Sequence, residues 1–357
     1  MTIEMILFFV SLLTYVASFL VYAFSIASGK TSIYFLARRF YFLGASLATV
    51  ALILRWQESG HPPLSNMYES LVTLSTFLAW STLIFTFSSS IPLVEGATAV
   101  LAVLMIGVAS VFPQNSTPLV PALQSYWLHI HVSVSFLGEA CFALSFALGY
   151  LYCIRRLLES DLESSANAGK EFMPSFPGEV SLCNGTVLGL PALFFCGMAA
   201  LTFKLYNSAP DESQWRNLAF FVVTPLGVFT AGLFLAFFLY RKKLALMVDR
   251  LLPPAENLDE LIYRAIALGY PLFTVGAIIF GMVWAYKAWG RYWGWDPKET
   301  WALITFLVYS WYLHLRYSKG WKGTGLAVLA VMGFLVTMFT LFGVNLILSG
   351  LHSYATN

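Results

Sequence analysis

Charge is what this 357-residue chain has least of. Only 11% of its residues are Asp, Glu, Lys or Arg, against 59% apolar residues and a mean hydropathy of +0.74. A soluble globular chain carries about 25% charged residues, so a water-soluble enzyme and a disordered linker protein are both excluded. The net charge of +2 provides no basic field for nucleic acid. Cysteine is scarce as well. Cys141, Cys153, Cys183 and Cys196 form no CxxC or CxxCH pair, and all lie in or beside apolar runs. That excludes a disulfide scaffold, a zinc knuckle and a haem-attachment sequence, and leaves four small buried side chains. No short-period repeat occurs.

What the chain has in abundance is long hydrophobic stretches. Ten of them fall near 5–28, 39–56, 67–87, 96–112, 126–154, 182–203, 217–240, 264–288, 300–317 and 324–349. A bilayer-crossing helix needs about 20 such residues, and barrel strands would alternate every second residue instead. The expected fold is therefore all-α: a single membrane domain over 1–357, built as a polytopic bundle of about ten spans. The count drops to eight if the pair within 182–240, interrupted by Pro191 and Pro225, does not cross. The first run has no cleavage-site pattern behind it and reads as a retained span.

With the N-terminus outside, the inner loops hold 14 Lys and Arg residues and the outer ones 6. This positive-inside bias puts both termini on the outer or lumenal side. The longest connection, 155–181, has no apolar periodicity and is expected to be a flexible inner-side loop.

The remaining polar and aromatic residues are unevenly distributed. Five of eleven tryptophans, Trp284, Trp289, Trp293, Trp295 and Trp301, fall within 284–302, the expected outer loop between the eighth and ninth spans. Interfacial belts account for some tryptophan, but not for five rings around Gly290 and Gly294. An indole platform for a flat apolar ligand is the sharper reading. Asp296-Pro297-Lys298-Glu299 spells a helix start: Asp296 as N-cap, Pro297 as first helical residue, Glu299 as the returning carboxylate. Ser65 or Asn66 is suited to cap the third span, and Glu69 to pair with Arg55 or another outer cation. Glu139 follows His131 by eight residues on one helix face.

Of five histidines, His61, His129, His131 and His352 belong to the outer side. His129 and His131 stand about 200° apart on a helix, so only one of them can face a given ligand. A flat ligand between one imidazole of the fifth span and His352 describes a bis-histidine haem site. His314, about 15 residues or roughly 22 Å into its span, belongs near the inner face, where a second ligand has to come from a partner. Two competing readings are a haem-binding electron-transfer or quinol subunit and a small-molecule transporter with broken helices. The first leaves the tryptophan loop unexplained. The second needs midplane charges that are scarce here, although Pro191, Pro225 and Pro271 are placed to break spans.

Four elements occur in order, GHPPLSNMYESL, YWLHIHVSVSFLGEA, WGRYWGWDPKETWALITFLVYSWYLHLR and NLILSGLHSY. Across about 50–355 they resemble the CcsA family, the CcsB or ResC type of cytochrome c biogenesis protein. That family belongs to a haem-handling superfamily marked by a tryptophan-rich WWD loop. The resemblance implies a part in a cytochrome c synthase with a ResB-type membrane partner. In such a complex, haem b is moved or received, held reduced at the outer loop, and attached to the CxxCH thiols of apocytochrome c. Carried over, His131 and His352 are the outer iron ligands and His314 the membrane-embedded one. Trp289, Trp293, Trp295 and Asp296 make the platform, with His129, Trp284, Trp301, Glu299 and His61 as secondary candidates. The implied location is a bacterial cytoplasmic or thylakoid membrane, with the loop on the periplasmic or lumenal side.

Overall fold

The computed structural model describes residues 2–87, 91–114, 119, 123–166, 177–208, 228, 231–232, 235–346 and 348. No strand occurs among them. The apolar runs become helices α1 (Ile3–Ser28), α2 (Thr31–Ser59), α3 (Met67–Phe85), α4 (Pro92–Ala109), α5 (Tyr126–Ala166) and α6 (Pro177–Ser208). They continue as α7 (Ala255–Trp289), α8 (Pro297–Ser318) and α9 (Thr324–Gly343). Most of the expected 217–240 run lies outside the described residues.

Six of these helices are long and apolar enough to cross a membrane: α1, α2, α4, α5, α7 and α9. The chain is a multi-pass membrane protein. α3 carries serine, threonine and Glu69 among its apolar residues and buries most of its hydroxyls. Thr73 donates to Pro63 O at 3.1 Å, Thr76 to Val72 O and Thr82 to Leu78 O, both at 2.8 Å. Pro191 and Pro271, placed to break spans, lie inside continuous helices.

α5 organises the bundle. Its 41 residues rise roughly 62 Å, about twice a hydrocarbon core, and it packs on α3, α4, α6, α7 and α9. Its length also corrects the expectation for 155–181, since the helix runs on through Ala166. Ion pairs hold this extension: Arg155 Nε with Glu159 Oε1 at 2.7 Å and Nη2 with Asp249 at 2.8 Å, Arg156 with Glu179 at 3.0 Å, and Asp161 with Arg241. Such pairing makes helical a stretch whose own apolar content could not.

Charges gather at the two ends of the bundle. At one end Arg55 is 2% exposed and joins three helices. Nε meets Glu69 Oε1 at 2.7 Å, Nη1 meets Glu4 Oε1 at 2.9 Å, and Nη2 donates to Gln114 O at 2.9 Å. The expected Arg55–Glu69 pair is present. Asn66 caps α3 by accepting from Glu69 N at 2.9 Å, while Ser65 donates to Glu69 Oε2 through N and Oγ. At the other end Arg316 pairs with Asp259 at 2.5 Å and Glu260 at 3.2 Å. Large apolar side chains of α1 and α2, among them Phe9, Phe24, Phe35, Phe42 and Ile53, remain exposed, a surface suited to lipid.

Candidate functional site

The site forms where α7 gives way to α8. α7 ends at Trp289 because Gly290 takes φ +72°, a left-handed conformation suited to glycine, and sends its N–H to Tyr286 O at 2.9 Å. α8 opens on the expected capping box. Asp296 accepts from Lys298 N at 3.2 Å, and Glu299 Oε2 takes Asp296 N at 3.2 Å and Gly294 N at 2.7 Å. The stretch expected as a loop over 284–302 is therefore mostly helix, and only Gly290–Asp296 lies outside one. Within it Trp295 carries the single positive φ, +57°, among non-glycine residues described, and is 70% exposed. A left-handed tryptophan is strained, and here the strain turns an indole outward.

On α5 the imidazole of His131 is held from α7. Its Nδ1 lies 2.8 Å from Gly276 O. A carbonyl only accepts, so Nδ1 carries the proton, and in the neutral imidazole Nε2 carries the lone pair. Gly276 belongs to a π-helical turn, Thr274–Phe280, inside α7. Such turns redirect backbone groups and recur at functional sites. Close approach makes the contact possible: a Cβ on Gly276 would press into the Ser135 backbone, and one on Gly281 would meet His131 Cε1 at 3.1 Å. Trp284 stacks on the same imidazole at 5.8 Å and 7°, and Trp289 meets Trp284 edge-on at 4.8 Å.

These groups wall a cavity of about 200 Å³. His131, Trp284, Trp289, Tyr292 and Trp293 form its aromatic side, while Ser135, Glu139, Lys298, Glu299 and Thr340 supply polar groups. Thr340 sits on a second π turn, Phe339–Gly343, at the end of α9. The structure thus brings together His131, Trp284, Trp289, Trp293 and Glu299. Asp296 is buried as a cap rather than as part of the wall.

The other candidates lie elsewhere. His129 is absent from the wall, so of the two neighbouring histidines it is His131 that reaches the cavity. His61 is buried, with Nδ1 3.1 Å from Pro62 O. Trp301 packs on Phe339 at 4.2 Å. His314 is exposed on α8, and His352 lies outside the described residues. Sequence reasoning missed the roles of Gly276 and Gly281, because nothing local shows which carbonyl meets which ring. It read Lys298 only as part of a helix start, although a lysine beside five tryptophans was signal enough.

The comparisons with known proteins cover the residues that line this cavity. A family model described as "Cytochrome C assembly protein" matches residues 64–352, which takes in every cavity-lining residue. The chain belongs to this family. Among relatives called "Cytochrome c biogenesis protein CcsA", that of Nostoc sp. (strain PCC 7120) is 39% identical over 315 residues, 87% of this chain and 85% of the relative. That of Microcystis aeruginosa (strain NIES-843) is 39% identical over 319 residues, covering 87% and 84%. That of Prochlorococcus marinus (strain MIT 9313) is 36% identical over 311 residues, covering 86% and 80%. The protein is accordingly a CcsA-type membrane protein of cytochrome c biogenesis. The family match begins just before α3, so α1 and α2 lie outside it. They are tied to the matched part by the Glu4–Arg55–Glu69 cluster.

Proposed function

We propose that this chain holds reduced haem b at the cavity beside Gly290–Asp296, between His131 and His352, and supports its attachment to apocytochrome c. The observation that carries this reading is the Nδ1 contact of His131 with Gly276 O. Metal-binding histidines commonly tie the second ring nitrogen to a carbonyl or carboxylate, which fixes the tautomer and leaves the other nitrogen to the metal. Trp284, Trp289 and Trp293 add a surface against which a flat conjugated ring stacks. A cavity of about 200 Å³ is below the ~300–1,000 Å³ of enclosed ligand pockets, so part of a haem would stand outside it, where Trp295 projects.

In thioether formation each CxxCH thiol adds across a haem vinyl group. A C–S bond forms, the vinyl π bond is consumed, and the thiol proton ends on the neighbouring vinyl carbon. No electron is gained or lost. What this chain contributes is position: imidazoles fix the iron, indoles fix the plane, and the vinyl edge is left to the incoming thiols. Departure of the product follows when the CxxCH histidine displaces one holding imidazole.

The wider arrangement proposed is ten spans, with both termini and the tryptophan loop on the periplasmic or lumenal side of a bacterial cytoplasmic or thylakoid membrane. A ResB-type partner faces α8. His314, exposed on that helix, is suited to share a membrane-embedded haem with a partner histidine.

The test is haem content and spectrum of the chain purified with its partner. His131→Ala and His352→Ala are expected to lose the outer haem and cytochrome c maturation, while His129→Ala keeps both. His314→Ala is expected to lose the membrane-embedded haem. Wild-type haem and maturation in both outer variants would overturn the assignment.

A further inference from the structure

The cavity's polar side has an unusual composition for the interior of a membrane protein. Glu139 lies on α5 two helical turns beyond His131, is 9% exposed, and lines the cavity beside Phe136, Phe273 and Leu341. Its Oε2 has no hydrogen-bond partner among the described residues. A buried carboxyl oxygen left unmatched is costly and calls for an explanation. Lys298 lines the same cavity. One of the three N–H donors of its ammonium goes to Asn345 Oδ1 at 3.2 Å. The hydroxyls of Ser135 and Thr340 reach the wall as well. Glu139 and Lys298 both contribute to that wall. They border a space that an aromatic wall shapes for a flat ligand.

We propose that Lys298 and Glu139 form a carboxylate-binding subsite that takes a propionate side chain of the haem. This rests on the haem reading above and adds the orientation of the ring. Lys298 supplies positive charge, and Glu139, protonated, donates from its unmatched oxygen to the propionate. In protoporphyrin the two propionates lie on the edge opposite the two vinyl groups. Drawing the propionates to the Lys298–Glu139 side turns the vinyl edge away from the protein interior, towards an apocytochrome approaching from the loop. One lysine and one carboxyl would then choose, out of the ring's possible placements, the one in which the reacting carbons meet thiols.

Ferrous haem and ferrous haem dimethyl ester separate this subsite from the rest of the site. The ester keeps iron, ring and vinyls and masks both carboxylates. The full chain, purified with its partner and stripped of haem, is titrated with each. Wild type is expected to bind haem on the order of tenfold tighter than the ester, about what a hydrogen bond to a charged group supplies. Lys298→Met and Glu139→Leu are expected to erase that preference while still binding the ester, which also shows that they are folded. Glu139→Gln, which keeps a donor, is expected to retain it. Equal binding of the two ligands by wild type, or a preference that survives in Lys298→Met, overturns the subsite and leaves the haem reading in place. Binding of neither by wild type removes both.

Discussion

His131 Nδ1 on α5 and Gly276 O on α7 stand 2.8 Å apart, and this contact sets the chemistry of the cavity. It fixes the imidazole tautomer from a neighbouring helix, through a carbonyl that a π turn presents and two glycines leave room for. His131 is thereby preorganised before any ligand arrives.

Substituting the glycines tests that arrangement directly. Gly276→Ala puts a methyl against the Ser135 backbone, and Gly281→Val puts branches against the His131 ring. Each is expected to cost about 1–3 kcal/mol by overpacking. Each is also expected to lower the haem retained per chain, with the iron spectrum shifted away from that of wild type. Thermal unfolding and the absorption spectrum of the purified complex are the measurements. A variant that is destabilised yet keeps a wild-type spectrum would show that the Gly276–His131 contact is structural only.

Trp295 separates strain from function. Its φ of +57° costs on the order of 1 kcal/mol for a non-glycine residue, a cost glycine does not bear. Trp295→Gly is expected to match or exceed wild type in melting temperature and to mature less cytochrome c. Full maturation by this variant would remove the exposed indole from the working site.

Arg55 is the stability test. It is buried against Glu69 and Glu4, so Arg55→Met leaves two carboxylates in the interior without their cation. A loss of about 3–5 kcal/mol is expected, read as a lower melting temperature and a lower yield of folded chain. Arg264→Met, at an exposed i,i+4 pair with Glu260, is expected to change either by less than about 1 kcal/mol.

Acid is expected to loosen the start of α6. Burial works to raise the Glu179 carboxyl, but hydrogen bonds from Thr324 and Arg156, together with the Arg156 charge, outweigh it and hold the group below the ordinary glutamate value. Because the folded value is the lower one, this stabilisation is complete above the unfolded value and is lost as pH falls through the folded one. Hydrogen exchange near Pro177–Ser181 is expected to quicken below about pH 4.5. Thr324→Val, which brings the folded value back toward the unfolded one, is expected to shrink this acid effect. An exchange rate flat through that window would show that Glu179 does not hold the helix.

The sequence by itself determined the all-helical class, because apolar runs of bilayer length leave few other ways to satisfy a backbone in lipid. It determined the α8 capping box and the Arg55–Glu69 pair, which depend on neighbours a few residues away or on charges with few alternatives. It also singled out His131 and the tryptophans of 284–302, three of which, Trp284, Trp289 and Trp293, share one cavity with His131. Only the tertiary structure decided that His131 rather than His129 reaches the cavity, because the choice depends on how α5 is rotated against α7. The same holds for the π turns, the run of α5 through Ala166 and the placing of Glu139 and Lys298 on one cavity. These depend on residues far apart in the chain being packed at one depth, and no local pattern of hydrophobicity or charge encodes that depth.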